Sequence, residues 1–310
     1  MSAPADLVRL LRPHQWVKNA FVLIGLVFGH AWDDPQQVMN VARLLAGFCL
    51  LASGVYAMND VFDRDADRAH PDKRNRPVAG GRIAPGAAAA LAVALALAGL
   101  TIAYRVSSSA FAIFAAYVLL NLAYSAGLKH VAVLDVFLIA AGFMLRILAG
   151  TLGIGIEPSQ WLLLCGLLVT LFLGFAKRRA ELFEHQNGSG SAADNDDNPN
   201  AASTAAPPQR RSLAGYTPKL LDQMIAISAG GSVIGYALYT VDLSTIALHG
   251  TDKLIYTLPV VLYAVFRYLH LLYRRGGGAD PSADLLGDPH LLVTSLGWVG
   301  LIWWLLYAAA

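Results

Sequence analysis

Nine apolar segments constrain the fold of this chain more than any other feature of its sequence. Hydrophobic residues make up 56% of the 310 residues and charged residues only 14%, whereas a soluble domain carries about 25% charged residues. A helix needs roughly 20 apolar residues to cross a hydrocarbon core about 30 Å thick, and in lipid only helices and closed barrels satisfy their backbone polar groups. The sequence therefore predicts an all-α, polytopic membrane helical bundle of about nine transmembrane helices, placed at 20–32, 38–57, 83–104, 107–127, 131–151, 159–176, 222–241, 253–272 and 291–308.

The composition also excludes several kinds of function. A net charge of only +2 gives no reason to expect a nucleic-acid partner. The two cysteines, Cys49 and Cys165, lie inside apolar segments, so the sequence predicts neither a disulfide framework nor a zinc site. We see no cleavable signal, because the stretch around Arg9 and Arg12 lacks a small-residue cleavage site after a short apolar run.

The basic residues predict the orientation in the membrane. Most of the 23 Lys and Arg residues fall in the N-terminal stretch and near the connections after the second, fourth, sixth and eighth segments. Cytoplasmic loops are enriched in Lys and Arg, so we place the N-terminus and these connections in the cytoplasm. Nine crossings of the plasma membrane then put the C-terminus outside.

One stretch, 187–209, differs from the rest of the chain. It is a low-complexity run of Asn, Asp, Ala, Ser, Gly and Pro without apolar periodicity, which is typical of disorder. We expect a disordered cytoplasmic insert here, in a chain that otherwise forms a single membrane-embedded catalytic domain over 1–310.

An aspartate-rich motif follows the second apolar segment. Asp60, Asp63 and Asp67 are spaced i, i+3 and i+7, and Asn59 precedes Asp63 by one turn. If the helix continues through the motif, the three carboxylates lie on one face, where they repel one another unless a cation lies between them. Hard cations such as Mg2+ take carboxylate oxygens and complete their shell with water and phosphate oxygens. Asn59, Asp60, Asp63 and Asp67 are therefore the predicted metal ligands.

A basic run comes directly after the acids. Arg68, Lys73, Arg74 and Arg76 can bind phosphate oxygens that the metal does not reach. The alternative interpretation is a solvated, charged cytoplasmic loop. That alternative requires no register among the carboxylates.

Two further stretches place polar residues at the predicted cytoplasmic mouth of the bundle. Lys18, at the start of the first segment, is either a phosphate contact or a positive-inside charge. Tyr124 and Lys129 lie in a very short turn between segments four and five, which places Lys129 close to an anion held by the aspartates. Interfacial anchoring by Tyr and Lys is the alternative.

Charged residues inside or at the end of apolar segments complete the candidate set. Asp135 and Arg146 share one helix face but lie about 16 Å apart by helical rise, so each needs another partner, either a structural ion pair or a phosphate. Lys177, Arg178 and Glu181 end segment six, and Lys177 and Glu181 are one turn apart and can pair. The alternative for these three is ordinary charge at a cytoplasmic helix end.

These motifs resemble a known family. The 59–67 motif after the second span and the 124–129 turn are similar to the first aspartate-rich motif and the short loop of the UbiA superfamily of intramembrane prenyltransferases. Residues 12–19, 70–77, 142–146 and 176–181 resemble one branch, the decaprenyl-phosphate phosphoribosyltransferases. The resemblance covers nearly the whole chain except 187–209. It departs from ordinary prenyltransferases after span six, where 177–181 is basic instead of carrying a second acidic motif.

The resemblance implies a specific reaction. It implies that a Mg2+-dependent enzyme transfers 5-phosphoribosyl from phosphoribosyl pyrophosphate to a polyprenyl phosphate in cell-wall arabinan precursor synthesis. The catalytic residues would be Asp60, Asp63, Asp67 and Lys129. The residues implied to bind substrate are Lys18, Asn59, Arg68, Lys73, Arg74, Tyr124, Asp135, Arg146, Lys177, Arg178 and Glu181.

Two other functions stay open at this point. One is a prenyltransferase with an isoprenyl diphosphate donor and an aromatic or other acceptor, which shares the metal motif. The other is a transporter or channel, which predicts polar residues through the whole membrane thickness instead of on one side. The oligomeric state is open too, with a homo-oligomer among the arrangements that the sequence allows.

Overall fold

The computed structural model describes residues 3–29, 31–70, 73–190, 211–274, 278 and 281–307. Within these residues the secondary structure is entirely helical, as predicted. The α-helices are α1 (Ala3–Leu11), α2 (Ile24–Phe28), α3 (Pro35–Phe62), α4 (Arg64–Ala69), α5 (Pro85–Val106), α6 (Ser108–Ala126), α7 (Leu134–Gly150), α8 (Gln160–Gly190), α9 (Pro218–Val241), α10 (Leu243–His249), α11 (Leu258–Arg274), α12 (Pro281–Gly287) and α13 (Pro289–Tyr307).

Eight helical segments in the described part of the chain are long and apolar enough to cross a membrane. They are Pro35–Phe62, Pro85–Val106, Ser108–Ala126, Leu134–Ile154, Gln160–Glu184, Pro218–Val241, Lys253–Arg274 and Pro289–Tyr307. Each coincides with one of the last eight predicted segments. The prediction of an all-α, multi-pass membrane protein is therefore confirmed.

The first predicted segment, 20–32, differs from the other eight. Pro13–Leu23 is a 3-10 helix, and only Ile24–Phe28 is α-helical, so this part of the chain is not one long α-helix. A Cβ on Gly25 would lie 1.9 Å from the carbonyl oxygen of Gly150, so the two backbones approach more closely than any side chain allows. At roughly 2.0 Å per residue in the 3-10 part, Pro13–Phe28 still covers about 30 Å.

Contacts divide the chain into two units. The first comprises Met1–Lys129 and Ala141–Pro158. Its main core surrounds α3, where Leu44, Phe48 and Leu51 are fully buried and Phe48 packs against Phe114. Gly54 faces the backbone of α5, since a Cβ there would lie 2.8 Å from the Ala92 oxygen, which fits the small-residue contacts common between membrane helices.

The second unit comprises His130–Ala140 and Ser159–Ala310. Its core joins α8, α9 and α11, and includes Phe172, Phe175, Leu221, Ile225 and Leu272. The predicted disordered run begins inside this unit. Residues 187–190 are the last turn of α8, and 191–209 lie outside the described residues.

Candidate functional site

The aspartate motif lies where α3 ends. Asp60 is in the last turn of α3, Asp63 is its C-cap with φ −91° and ψ 6°, and Asp67 lies on α4. The helix is therefore interrupted at Asp63. The amides of Asp63 and Asp67 nevertheless donate to the carbonyls of Asn59 and Asp63, each at 2.8 Å. These i to i−4 bonds preserve the helical spacing of the carboxylates across the break.

Each of the three carboxylates has a basic partner. Asp60 Oδ1 accepts from Arg12 Nη2 at 2.5 Å and from Arg76 Nη1 at 3.3 Å. Arg76 Nη1 also donates to Asp67 Oδ2 at 2.7 Å. Asp60 and Asp67 are buried, with 1% and 4% of their surface exposed. Two buried acids thus have their charge compensated by two arginines. Arg76 belongs to the predicted basic run, whereas Arg12 was not among the predicted site residues.

Lys129 completes the cluster. Its Nζ donates to Asp63 Oδ1 at 2.6 Å, and the Asp63 side chain is 37% exposed. Lys129 lies in a 3-10 turn directly after α6 and Gly127, which has φ 155°. The short turn therefore brings Lys129 to the aspartates.

Arg12 is held in place by its own surroundings. It follows α1 with φ 51° and ψ 58°, a left-handed conformation that costs a non-glycine residue on the order of 1 kcal/mol. Ser53 Oγ donates to the Leu11 oxygen at 2.9 Å, and Trp16 Nε1 donates to Ser53 Oγ at 3.0 Å. The guanidinium also lies 5.2 Å from the Tyr56 ring centroid. These contacts fix the backbone beside α3, so Arg12 reaches Asp60 across 48 positions of sequence.

The cluster has one feature that suits a metal ion. Among the described residues, no group of three or more His, Cys, Asp or Glu is arranged to hold a metal. Asp60 Oδ2, however, is buried and has no hydrogen-bond partner in the described part of the chain, which is uncommon for a buried polar atom. The Asn59 Oδ1 atom accepts from Ser125 Oγ at 2.7 Å. The donor set is composed of hard oxygens, which Mg2+ prefers, so the chemistry of these residues fits this ion.

The remaining residues of the basic run and of the turn differ in their contacts. Arg68 Nε donates to the Ala79 oxygen at 2.9 Å, whereas Lys73 and Arg74 are exposed. Lys18 and Tyr124 are half-buried. The predicted phosphate-binding roles of these residues stay predictions, and the side chains of Arg68, Lys73 and Arg74 are all exposed to solvent.

Arg146 lies in a neutral and aromatic environment. Its Nε, Nη1 and Nη2 atoms donate to Asn19 Oδ1, the Gly142 oxygen and the Tyr117 hydroxyl, at 2.8, 2.8 and 2.9 Å. Its guanidinium lies 4.8 Å from the Tyr117 ring and 5.5 Å from the Phe48 ring. Phe48 precedes Asp60 by 12 positions on α3, roughly 18 Å of helical rise. The structure therefore does not bring Arg146 to the aspartates.

The Arg146 environment leads to a stability prediction. Tyr117→Phe removes one acceptor of a buried charge, which typically costs about 2 kcal/mol. We expect a lower unfolding temperature in detergent, measured by thermal denaturation. Tyr104→Phe is the matched control, because Tyr104 is 68% exposed and should change the unfolding temperature little. An equal effect of the two substitutions would contradict this view of Tyr117.

Asp135 forms a separate buried network in the second unit. It is fully buried, and its Oδ1 and Oδ2 accept from the Tyr216 hydroxyl at 2.8 Å and from Ser212 Oγ at 3.2 Å. Arg178 Nε lies 3.1 Å from Asp135 Oδ2 as an ion pair. Burial and the hydrogen bond to Asp135 raise the pKa of Tyr216, so its hydroxyl stays protonated and donates. Asp135 and Arg146 have separate partners, as expected from their spacing.

Glu181 pairs differently from the prediction. It contacts Arg178, one position after the expected partner Lys177. Both spacings occur on one helix face, but Arg178 is 1% exposed beside Asp135, whereas Lys177 is half-buried. The buried guanidinium of Arg178 therefore pairs with the carboxylates of both Asp135 and Glu181.

Fold and site together define a polytopic, all-α membrane protein with an aspartate cluster paired to arginine and lysine at the end of a spanning helix. The chain belongs to the UbiA prenyltransferase family, whose model matches residues 19–181. This range includes every predicted site residue except Lys18.

Individual relatives agree with the family match. The chain is 35% identical to a protein named decaprenyl-phosphate phosphoribosyltransferase from Corynebacterium glutamicum, over 94% of this chain and 84% of the relative. A protein of the same name from Mycolicibacterium smegmatis is 32% identical, over 96% of this chain and 91% of the relative. The structure of a UbiA homolog from Archaeoglobus fulgidus bound to GPP and Mg2+ has a TM-score of 0.69 and 16% identity, and covers 97% of this chain and 99% of that chain. This structural likeness concerns the fold.

Proposed function

We propose that this protein transfers the 5-phosphoribosyl group of phosphoribosyl pyrophosphate to a polyprenyl phosphate, decaprenyl phosphate in particular, and releases diphosphate. The observation that carries the proposal is the 30–35% identity, over nearly the whole chain, to relatives named decaprenyl-phosphate phosphoribosyltransferase. The proposed place is the plasma membrane, with the aspartate cluster on the cytoplasmic side. There the soluble donor is available, and the product enters cell-wall arabinan precursor synthesis.

The site chemistry suits a diphosphate donor. Asp60 and Asp63, with Asn59 and Asp67 in support, would hold Mg2+. When bound, this ion neutralises charge on the diphosphate and makes it a better leaving group. Lys129, whose Nζ lies 2.6 Å from Asp63 Oδ1, would donate to a diphosphate oxygen there. Positioned cations of this kind stabilise the developing charge by several kcal/mol.

The basic residues that follow Asp67 extend the same argument. Arg68 directly follows Asp67, Lys73 and Arg74 lie six and seven positions beyond it, and all three are exposed. They would bind phosphate oxygens that the aspartates repel. For Lys18, Tyr124, Asp135, Arg146, Lys177, Arg178 and Glu181 the substrate-binding role is a proposal that rests on the family resemblance.

The acceptor needs little activation. A polyprenyl phosphate oxygen is already anionic, so no strong general base is required. Its attack on the anomeric carbon forms the new C–O bond while the bond to diphosphate breaks and the electron pair leaves with the diphosphate. Attack from the opposite face inverts the anomeric centre. The basic stretch 177–179 agrees with a substrate pair that carries three phosphate groups.

A donor competition assay tests the proposal. Purified protein in detergent receives Mg2+, decaprenyl phosphate, labelled phosphoribosyl pyrophosphate and an isoprenyl diphosphate. We expect label in the lipid fraction and release of inorganic diphosphate, both lost on chelation with EDTA. Consumption of the isoprenyl diphosphate, with no labelled lipid, would instead identify a prenyltransferase.

A further inference from the structure

Two arginines in the first unit bind the acids that the metal would need. Arg12 and Arg76 both donate to Asp60 Oδ1, and Arg76 also donates to Asp67 Oδ2. Their side chains are 22% and 28% exposed, whereas the side chain of Asp60 is only 1% exposed. The arginines are therefore more accessible to solvent than the carboxylate that they bind.

The second oxygen of Asp60 has a different environment. Asp60 Oδ2 is buried without a hydrogen-bond partner among the described residues. A divalent cation that binds this oxygen alone would lie close to two guanidinium groups, and like charges repel. In the absence of an anionic substrate, this repulsion therefore weakens the binding of a metal ion to Asp60 Oδ2.

A diphosphate changes this balance. It carries several negative charges, and guanidinium groups bind phosphate oxygens in a bidentate manner. Arg12 and Arg76 can transfer their hydrogen bonds from the carboxylates to the diphosphate, which frees Asp60 and Asp67 for the cation. Both ligands then favour the same arrangement of the arginines.

We propose that Arg12 and Arg76 couple the two binding events: they hold the motif carboxylates in the free protein and bind the diphosphate of the donor when metal and donor enter together. The proposal rests on the proposed function for the identity of the donor. The coupling itself requires only a diphosphate. By linkage, each ligand then raises the affinity for the other by the same factor, typically 5- to 150-fold.

Two titrations test the coupling without measuring turnover. The first follows free Mn2+ by electron paramagnetic resonance as it binds the full-length protein in the absence of any phosphate. The second follows the binding of inorganic diphosphate by calorimetry in excess Mg2+. In Arg12→Gln we expect Mn2+ alone to bind about tenfold more tightly and diphosphate about tenfold more weakly. Arg76→Gln is a second, independent variant with the same expected signs.

A matched control separates this effect from general loss of charge. Arg43→Gln removes an exposed arginine from the other end of α3, and both titrations should match wild type. Opposite changes in the two titrations support the coupling. Weakening of both ligands, or no change in either, would overturn it. The outcome is independent of the donor, because wild-type protein that shows the coupling but forms no labelled lipid would refute the proposed function alone.

Discussion

Asp63→Ala is expected to lower phosphoribosyl transfer by at least about a thousandfold. The side chain is a proposed metal ligand, and the loss of several kcal/mol of electrostatic stabilisation corresponds to a rate change of this size. Asp63 is 37% exposed, and its ion-pair partner Lys129 is 15% exposed, so the lysine left without this partner keeps some contact with solvent. The variant should therefore insert and unfold like wild type. The measurement is initial velocity with labelled phosphoribosyl pyrophosphate, beside thermal denaturation.

Asp65→Ala is the matched control for that experiment. Asp65 lies two positions away, is 91% exposed, and has a long contact of 3.8 Å with Arg68. Pairs of this kind contribute little, so the variant should retain wild-type velocity. If Asp63→Ala kept more than a tenth of the activity, the metal-ligand assignment would have to be withdrawn.

Asp135→Ala is expected to destabilise the protein by about 3 kcal/mol. Removing one partner of a buried ion pair is strongly destabilising, and Arg178, which is 1% exposed, would keep only Glu181 as an acidic partner. The Tyr216 hydroxyl loses its acceptor as well. In detergent this should lower the unfolding temperature by about 5–10 °C.

A second variant distinguishes a structural pair from a substrate ligand. Asp135→Ala/Arg178→Leu removes both buried charges, and replacement of a buried pair by apolar groups is often neutral. The double variant should recover much of the lost stability, whereas Lys177→Ala, next to the network, should change it little. An unchanged unfolding temperature in the single variant would mean that the network does not support the fold.

The spanning helices were predictable because the lipid imposes their length. Eight of nine segments appear in the described part of the chain, as for 83–104 against Pro85–Val106. Their bounds agree with the expected ones within about five residues, except that the segment predicted to end at 176 extends to Glu184. The first segment is not one long α-helix, and its backbone at Gly25 closely approaches the backbone of Gly150. A close approach of two backbones that are far apart in sequence produces no local sequence pattern from which it could be predicted.

The candidate site was predictable where its residues are neighbours in sequence. The spacing of the acids in 59–67 predicted that they lie on one helix face. The short turn predicted that Lys129 lies close to them. Arg12 was missed because 48 residues separate it from Asp60. Arg76 stood in the predicted basic run, but nothing in the run distinguished it from Arg74, which is exposed.

The sequence by itself determined that this is a multi-pass membrane protein of helices with an acidic motif after its second apolar segment. These features follow from local composition and spacing. The thickness of the lipid sets the length of the apolar helices, and the helix repeat sets which residues share a face. Only the tertiary structure decided which base meets which acid: Arg12 and Arg76 at Asp60, and Arg178 instead of Lys177 at Glu181. Ion pairs depend on distance and burial in three dimensions, and both are set by helix packing.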